Sequence, residues 1–428
     1  MISRLNKHLV NLLNLPELIF VVIAFIFGVI FLFITPPSCV PDEVTHMFRS
    51  CDVAVGSFLS ETRPEIKPYD ETMLSAISGK VNDIDKPFAM RYSPVMYIFS
   101  AIGVKLGHIL SLDALSIFYL GRFLNLLFYI FLISTAISIT PVFKYPFMFI
   151  GLLPMSLFMG MSYNADSFCI AFVLFSFAYL FKLIFSEKEV SGKQLSAFVL
   201  ISCIGALAKG LIYPMFLSFF IPIKKHKKKI LFILISLILI VFYYSSTMLN
   251  FINLNPTCDV INDKTYVFTH SFEVLQSILL TTREKGYAYI HQLIGYLGWL
   301  SIPIPETTCN RIILIFFIML FVLSEKVKAS IKIFSGLLLI FFYIFILYFE
   351  LITWTPVGET IIQGVQGRYF IPLLPFFLLA FPSIKLKVSE RIKNLFKIFL
   401  IFMLINLLYT AVIGLHVYYY ELNINNFM

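Results

Sequence analysis

The chain has 428 residues, of which 59% are hydrophobic and only 13% charged. A soluble domain carries roughly 25% charge, so the composition excludes a water-soluble fold, which has no interior large enough for this much apolar surface. The net charge of +9 does not point to nucleic acid, because the basic residues lie in short loops between apolar runs.

A run of about 20 apolar residues crosses a bilayer, and the sequence predicts about 11 such spans. They fall near 17–35, 116–140, 145–162, 165–185, 196–208, 210–223, 230–249, 307–323, 331–350, 368–383 and 398–419. The first run follows a short basic head, Arg4 and Lys7, and leads into Pro36-Pro37-Ser38-Cys39. It is long for a signal-peptide core and no small-x-small cleavage site follows, so it reads as an uncleaved signal-anchor with its N-terminus inside. Segment 92–110 is apolar enough to span but contains Pro94, Lys105 and His108. It reads as a membrane-surface or re-entrant helix of the first outer loop. Segment 196–223 reads as two short helices hinged at Lys209-Gly210, with one long span as the alternative. Exchanging both choices together leaves every later loop on the same side. Phe (48) and Tyr (22) are abundant, as lipid-facing helices with interfacial aromatic belts require.

Charge assigns the sides. The inner segments of this arrangement hold 19 Lys/Arg, against 14 in the much longer outer loops and outer helix ends. The strongest anchor is Lys-Lys-His-Lys-Lys-Lys at 224–229, a solvated cytoplasmic stop. Two large outer loops result, 36–115 and 250–306, with a short third at 353–367. The chain is expected to be a single transmembrane domain, 1–428, that works on a substrate at the outer face. Among the cysteines outside the spans, Cys258 with Cys309 is the better candidate disulfide. Cys39 and Cys51 are set too far apart by a helix over 41–51.

The richest stretch is Pro41-Asp42-Glu43-Val44-Thr45-His46-Met47-Phe48-Arg49. At 100° per residue, a helix opened by Pro41 sets Asp42, His46 and Arg49 on one stripe, with Glu43 about 100° away. A carboxylate, an imidazole and a guanidinium together can supply a general base, a metal ligand and an anion clamp. The same residues also suit a capped interfacial helix whose acids favour its N-terminal dipole. Further along, Asp166 opens a span after Ser162-Tyr163-Asn164-Ala165, a position that equally suits a helix N-cap region. Lys209 sits between two short apolar segments, where a cation needs a partner, a wet cavity or the outer surface. Arg122 and Arg368 lie at outer helix ends, where snorkelling to the interface is the plain reading. Taken together, carboxylates and bases converge on one membrane face. Carboxylates for a hydroxyl and cations for a phosphate fit transfer from a lipid-phosphate donor.

At these positions the chain resembles a bacterial membrane-protein family of the GT-C glycosyltransferase superfamily. The residues that carry the resemblance are Pro41-Asp42-Glu43, His46, Arg49 and Gly56, then Arg91-Tyr92-Ser93-Pro94 and Tyr97, Gly121-Arg122 and Asn125, Pro154, Ser162 and Asp166. It continues with Lys209 and Tyr213, Gly298-Trp299-Leu300 and Pro303, and Gln366-Gly367-Arg368-Tyr369, Pro372 and Pro375. Relatives in that superfamily include oligosaccharyltransferase, protein O-mannosyltransferases and the lipid A aminoarabinose transferase. The resemblance implies an all-α, GT-C-like membrane enzyme in the bacterial cytoplasmic membrane, facing the periplasm or exterior. It implies a sugar donor on a polyprenyl phosphate and a glycan or glycolipid acceptor, such as O-antigen or another surface polysaccharide. It places a catalytic carboxylate at Asp42 or Glu43 and a second acid at Asp166. Lipid phosphate is expected at Arg368, with His46, Arg49, Arg122, Lys209 and Tyr369 in the substrate-binding set. It allows a divalent metal, Mg or Mn, shared by Asp42, Asp166 and His46. Ser301 stands where members often carry an acid after Gly-Trp-Leu, so that acid's role does not carry over. The competing readings are a transporter or flippase of lipid-linked sugar and a polymerase or ligase of polyprenyl-linked glycans.

Overall fold

The structure, a computed structural model, describes residues 10–57, 92–223, 232–233, 235–238, 270–356, 359–381 and 388–422. The basic head, the Lys224–Lys229 anchor, most of the expected span 230–249, much of both large outer loops, and Cys258 with its expected pairing to Cys309 lie outside these residues.

Helix α1 (Pro16–Ile34) begins on a proline, whose missing N–H costs nothing in a first turn, and stops at Thr35 before Pro36-Pro37. Helix α2 (Glu43–Ala54) follows as a short, largely enclosed element after α1. A 3₁₀ turn at Pro94–Tyr97 leads into α3 (Ile98–Ile109). Its 12 residues make a rod of about 18 Å, short of the roughly 30 Å hydrocarbon core. Helix α4 (Ala114–Ile139) is capped by the Asp113 carboxylate, which accepts from Ser116 N at 3.0 Å. Helices α3 and α4 touch backbone to backbone, because a Cβ on Gly103 would stand 2.7 Å from Gly121 Cα. In a membrane, helices associate through this kind of close packing more than through the hydrophobic effect.

The span expected at 145–162 is instead two short helices, α5 (Lys144–Gly151) and α6 (Pro154–Gly160). Pro154 has no N–H to continue the ladder, and Leu153 before it turns extended (φ −57°, ψ 135°). Helix α7 (Asp166–Ile184) is the central one: its apolar stretch is 78% buried, against 39% for α1. Helix α8 (Gly192–Leu207) opens on a capping box between Ser191 and Gln194. The chain then hinges through left-handed Lys209 (φ 51°) and Gly210 (φ 71°) into a 3₁₀ segment, Tyr213–Phe220. The expected hinge position is therefore found, although its second arm is 3₁₀ and not α.

The stretch expected as the second large loop contains an element the hydropathy pattern does not reveal. Helix α9 (Ser271–Gly295) runs 25 residues through Glu273, Arg283, Glu284 and Lys285, charges that mask it as a loop. A tight antiparallel hairpin follows, β1 (Tyr296–Leu297) with β2 (Ile302–Pro303), paired Tyr296 to Pro303 and Leu297 to Ile302. Then come α10 (Glu306–Val322) and α11 (Ala329–Thr353). A 3₁₀ segment, Gly367–Leu373, runs into α12 (Leu374–Ala380), so the span expected at 368–383 is broken by Pro372 and Pro375. Helix α13 (Glu390–His416) ends in a π turn, Val417–Glu421.

Among the described residues, five helices are long and apolar enough to cross a membrane: α1, α4, α7, α11 and α13 with its π turn. Helix α4 packs on α1, α3 and α7, and α13 closes against α1 and α10. Wholly buried rings, among them Phe31, Phe158, Phe177 and Phe181, fill the space around α7. The N-terminal end of α7, the loop after α1, the Lys209 hinge and the 3₁₀ segment at Gly367 meet at one end of this bundle, joined by the ion contacts described next.

Candidate functional site

The two acids at the start of α2 go separate ways. Asp42 is not helical: its φ of 60° is left-handed, and the helix begins at Glu43. The one-stripe geometry expected for Asp42, His46 and Arg49 therefore does not form. Glu43 is completely buried against Arg122 of α4, with Arg122 Nε to Glu43 Oε1 at 2.8 Å and Nη2 to Oε2 at 2.6 Å. The same guanidinium donates through Nη1 to Leu32 O (3.2 Å) and Thr35 O (2.6 Å), and through Nη2 to Pro36 O (3.1 Å). These carbonyls are the orphan acceptors at the end of α1, where a cation is favoured. All the donors of the guanidinium fork are thereby used. Arg122 has no donor left for a phosphate, and Glu43, which also accepts from Tyr163 N at 3.4 Å, is sealed from solvent. In this structure both fasten the loop internally. Arg49 holds loop backbone as well: its Nε donates to Tyr92 O (3.1 Å) and its Nη1 to Ser57 O (3.2 Å).

The remaining charges form one connected set. Arg368, at the start of the 3₁₀ segment, reaches Asp42 Oδ2 through Nη2 at 3.1 Å and lies 2.9 Å from Asp166 Oδ2 through Nε. The first is a hydrogen bond; the second is an ion contact lying off the N–H axis, so it leaves Nε without a hydrogen-bond partner. Lys209 Nζ donates to the other oxygen of Asp166 at 3.2 Å and sits 4.7 Å above the Tyr92 ring. Tyr92 stacks on His46 with centroids 5.8 Å apart, and His46 Nδ1 shares a 2.7 Å hydrogen bond with Tyr97 Oη. Tyr369 lies beside the Arg368 guanidinium, its ring centroid 5.5 Å away. Side-chain exposure rises from 2% at Arg368 through 12% at Asp166 and 25% at Lys209 to 51% at Asp42. Asp42 is thus the outermost group of a charge cluster whose innermost member is a buried guanidinium.

His46 is neutral here. Burial, and next the charge of Lys209, lower its pKa to about 3. The unfolded chain takes up that proton near the ordinary value of about 6.5, so the stability this residue contributes at neutral pH is lost as pH falls from there towards 3. An NMR titration is expected to show no His46 protonation between about pH 5 and 8; a step near 6.5 would place the imidazole in water.

The metal expectation does not fit this arrangement. The Arg368 guanidinium contacts both Asp42 and Asp166, so a second cation between these carboxylates would have to displace it. Among the described residues no group of three His, Cys, Asp or Glu side chains is placed to hold an ion.

Several supporting residues are silent in the sequence. Asn164 ties the two acids' loops together: its Nδ2 donates to Pro41 O and its Oδ1 accepts from Asp166 N, both at 2.9 Å. Gln292 of α9 accepts from Gly367 N at 2.9 Å and so fixes the residue before Arg368. Glu350, near the end of α11, is buried with Oε2 unpartnered among the described residues, and the charges acting on it are those of Lys209 and Arg368. The available signal for Glu350 is a lone acid in an otherwise apolar run, which in a membrane helix is expensive unless used.

Lys209 and Asp42 both sit at positive φ, 51° and 60°, a region that costs a side-chain-bearing residue about 1–2 kcal/mol. Comparing two variants that both lack the amine isolates that strain. Lys209→Gly is expected to be more stable than Lys209→Ala by about 1 kcal/mol in a denaturation series. Equal stabilities would show that the hinge relaxes once the amine is gone.

Comparison with known proteins finds no curated protein and no solved structure that matches this chain. A family model does match, described as "Predicted membrane protein (DUF2142)", over residues 78–377. The matched stretch holds Asp166, Lys209 and Arg368 and begins after Asp42 and His46.

Proposed function

The chain belongs to the DUF2142 family of predicted membrane proteins, and we propose that it is a membrane glycosyltransferase of GT-C type. Its donor would be a sugar on a polyprenyl phosphate, and its acceptor a glycan or glycolipid, O-antigen or another surface polysaccharide among them. The site would face outward from the bacterial cytoplasmic membrane. The observation that carries the reading is the meeting of Asp42 and Asp166, from distant stretches of sequence, at one buried guanidinium with Lys209 alongside.

The chemistry needs few groups. Polyprenyl phosphate is already a reasonable leaving group, so a carboxylic acid pair of the glycosidase kind is unnecessary. Asp42, the outermost and most accessible carboxylate of the set, accepts the proton of the acceptor hydroxyl. The hydroxyl oxygen then bonds to the anomeric carbon as the bond from that carbon to the phosphate oxygen breaks. The electron pair leaves on the phosphate, where Arg368 and Lys209 stabilise the growing charge. One displacement gives inversion at the sugar carbon. Asp166 holds both cations in register, and His46 with Tyr92 and Tyr97 forms the wall behind them.

The test uses purified protein in vesicles with a polyprenyl-phosphate sugar. Arg368→Ala is expected to weaken donor binding about 10- to 100-fold, the worth of a charge-assisted contact. Unchanged affinity would remove the phosphate role. Movement of donor across the vesicle membrane without a new glycosidic bond would favour the transporter reading.

A further inference from the structure

Arg368 is nearly sealed from solvent, with a side chain only 2% exposed, yet its Nη1 has no hydrogen-bond partner among the described residues. A buried donor of this kind is costly to leave unmet. The neighbouring Nη2 is occupied by Asp42, and that contact is unlike the others in the set. Asp42 is half exposed, sits on a left-handed residue ahead of α2, makes no capping bond with its side chain, and touches Arg368 through one oxygen at 3.1 Å. Asp166 is its opposite: 12% exposed, held by Lys209 on one oxygen and Arg368 on the other, and anchored through its own N–H to Asn164.

We propose that Asp42 is a placeholder for a phosphate, occupying the Nη2 position of Arg368 until a phosphomonoester or phosphodiester headgroup takes the Nη1–Nη2 edge and displaces it. The inference rests on the reading of Arg368 as the phosphate ligand and adds an order of events to it. An oxyanion on that edge satisfies the unmet Nη1 and reaches Nη2, in the bidentate pattern guanidinium groups favour. The Asp42 carboxylate then faces a like charge and turns outward, which its exposed position permits. Asp166 stays in place, because its two cationic contacts do not involve the Nη1 edge. Released from the guanidinium, a carboxylate is a better proton acceptor, so donor binding itself prepares the base. An acceptor that arrives first meets Asp42 still engaged.

The experiment measures binding, not transfer. Farnesyl phosphate and inorganic phosphate are titrated into purified full-length protein, wild type, Asp42→Asn, Arg368→Ala and the double variant. Asp42→Asn removes the competing charge and keeps a residue that tolerates left-handed backbone. It is expected to bind phosphate at least about fivefold more tightly than wild type, and the gain is expected to vanish in the Arg368→Ala background. A gain for both probes assigns the seat to phosphate alone, and a gain confined to farnesyl phosphate assigns it to a lipid headgroup; either supports the proposal. Weaker or unchanged binding in Asp42→Asn overturns it, as does a gain that survives in the double variant, or a wild-type protein that binds neither probe. If Asp42→Asn does not fold, Asp42→Ser serves the same comparison by removing the charge with a smaller side chain. Tightening in the variant together with no sugar transfer by wild type from any donor would refute the glycosyltransferase reading and leave this inference standing.

Discussion

Asp42→Asn is expected to lower sugar transfer by about 10²- to 10⁴-fold, the usual worth of a positioned general base, while the protein folds normally. The loss should fall on kcat. Asn keeps the size of Asp and tolerates the left-handed backbone at this position, so neither the loop nor the start of α2 is disturbed. The ion contact that disappears is half exposed at Asp42, and such contacts contribute no more than about 1 kcal/mol to stability. Transfer assays at saturating donor, paired with a melting curve in the same detergent, read both quantities. Full activity in this variant would remove Asp42 as the base and leave Asp166, which is bound to two cations, as the remaining acid in contact with Arg368.

Glu43→Gln is expected to do the reverse, although it lies one residue away. It should cost about 3–5 kcal/mol of stability, because the Arg122 charge is left buried without its partner, and any protein that folds should retain near-native kcat. Arg122→Ala should be at least as damaging: it also abandons the carbonyls of Leu32, Thr35 and Pro36, buried acceptors at the end of α1. Chemical denaturation in detergent measures the loss. A Glu43→Gln protein of wild-type stability but without activity would return Glu43 to the reaction. The contrast between the two neighbours is sharp, because one carboxylate is half exposed on a single contact and the other has no exposure at all.

The long spans were legible from apolar length alone. Helices α1, α4, α7 and α11 each coincide with a long, predominantly apolar run in the sequence. Where proline interrupts such a run, hydropathy cannot say whether the helix bends or stops; at Pro154 and at Pro372 with Pro375 it stops or tightens to 3₁₀. Helix α9 was illegible as a helix because its charges break the apolar pattern, yet it supplies Gln292 to the site. Side-chain roles follow the same division. That acids and bases would gather at one end could be read from their positions at span ends. Which acid would pair with which base could not. Helical spacing assumes that Asp42 is helical, and one left-handed residue sends it towards Arg368 while Glu43 turns into the bundle. Glu350 escaped notice because it is surrounded in sequence by apolar residues and is brought towards Lys209 and Arg368 only by folding.

The amide of Asn164 has a bearing on how such a charge cluster withstands its surroundings. Ionic links weaken when salt rises, and carboxylates lose their charge in strong acid. Hydrogen bonds from an uncharged amide to backbone groups answer to neither. The spacing between the two acid-bearing loops is thus insulated from salt and acid. Only the outermost carboxylate, tethered by a single charge-assisted hydrogen bond, remains responsive to the medium.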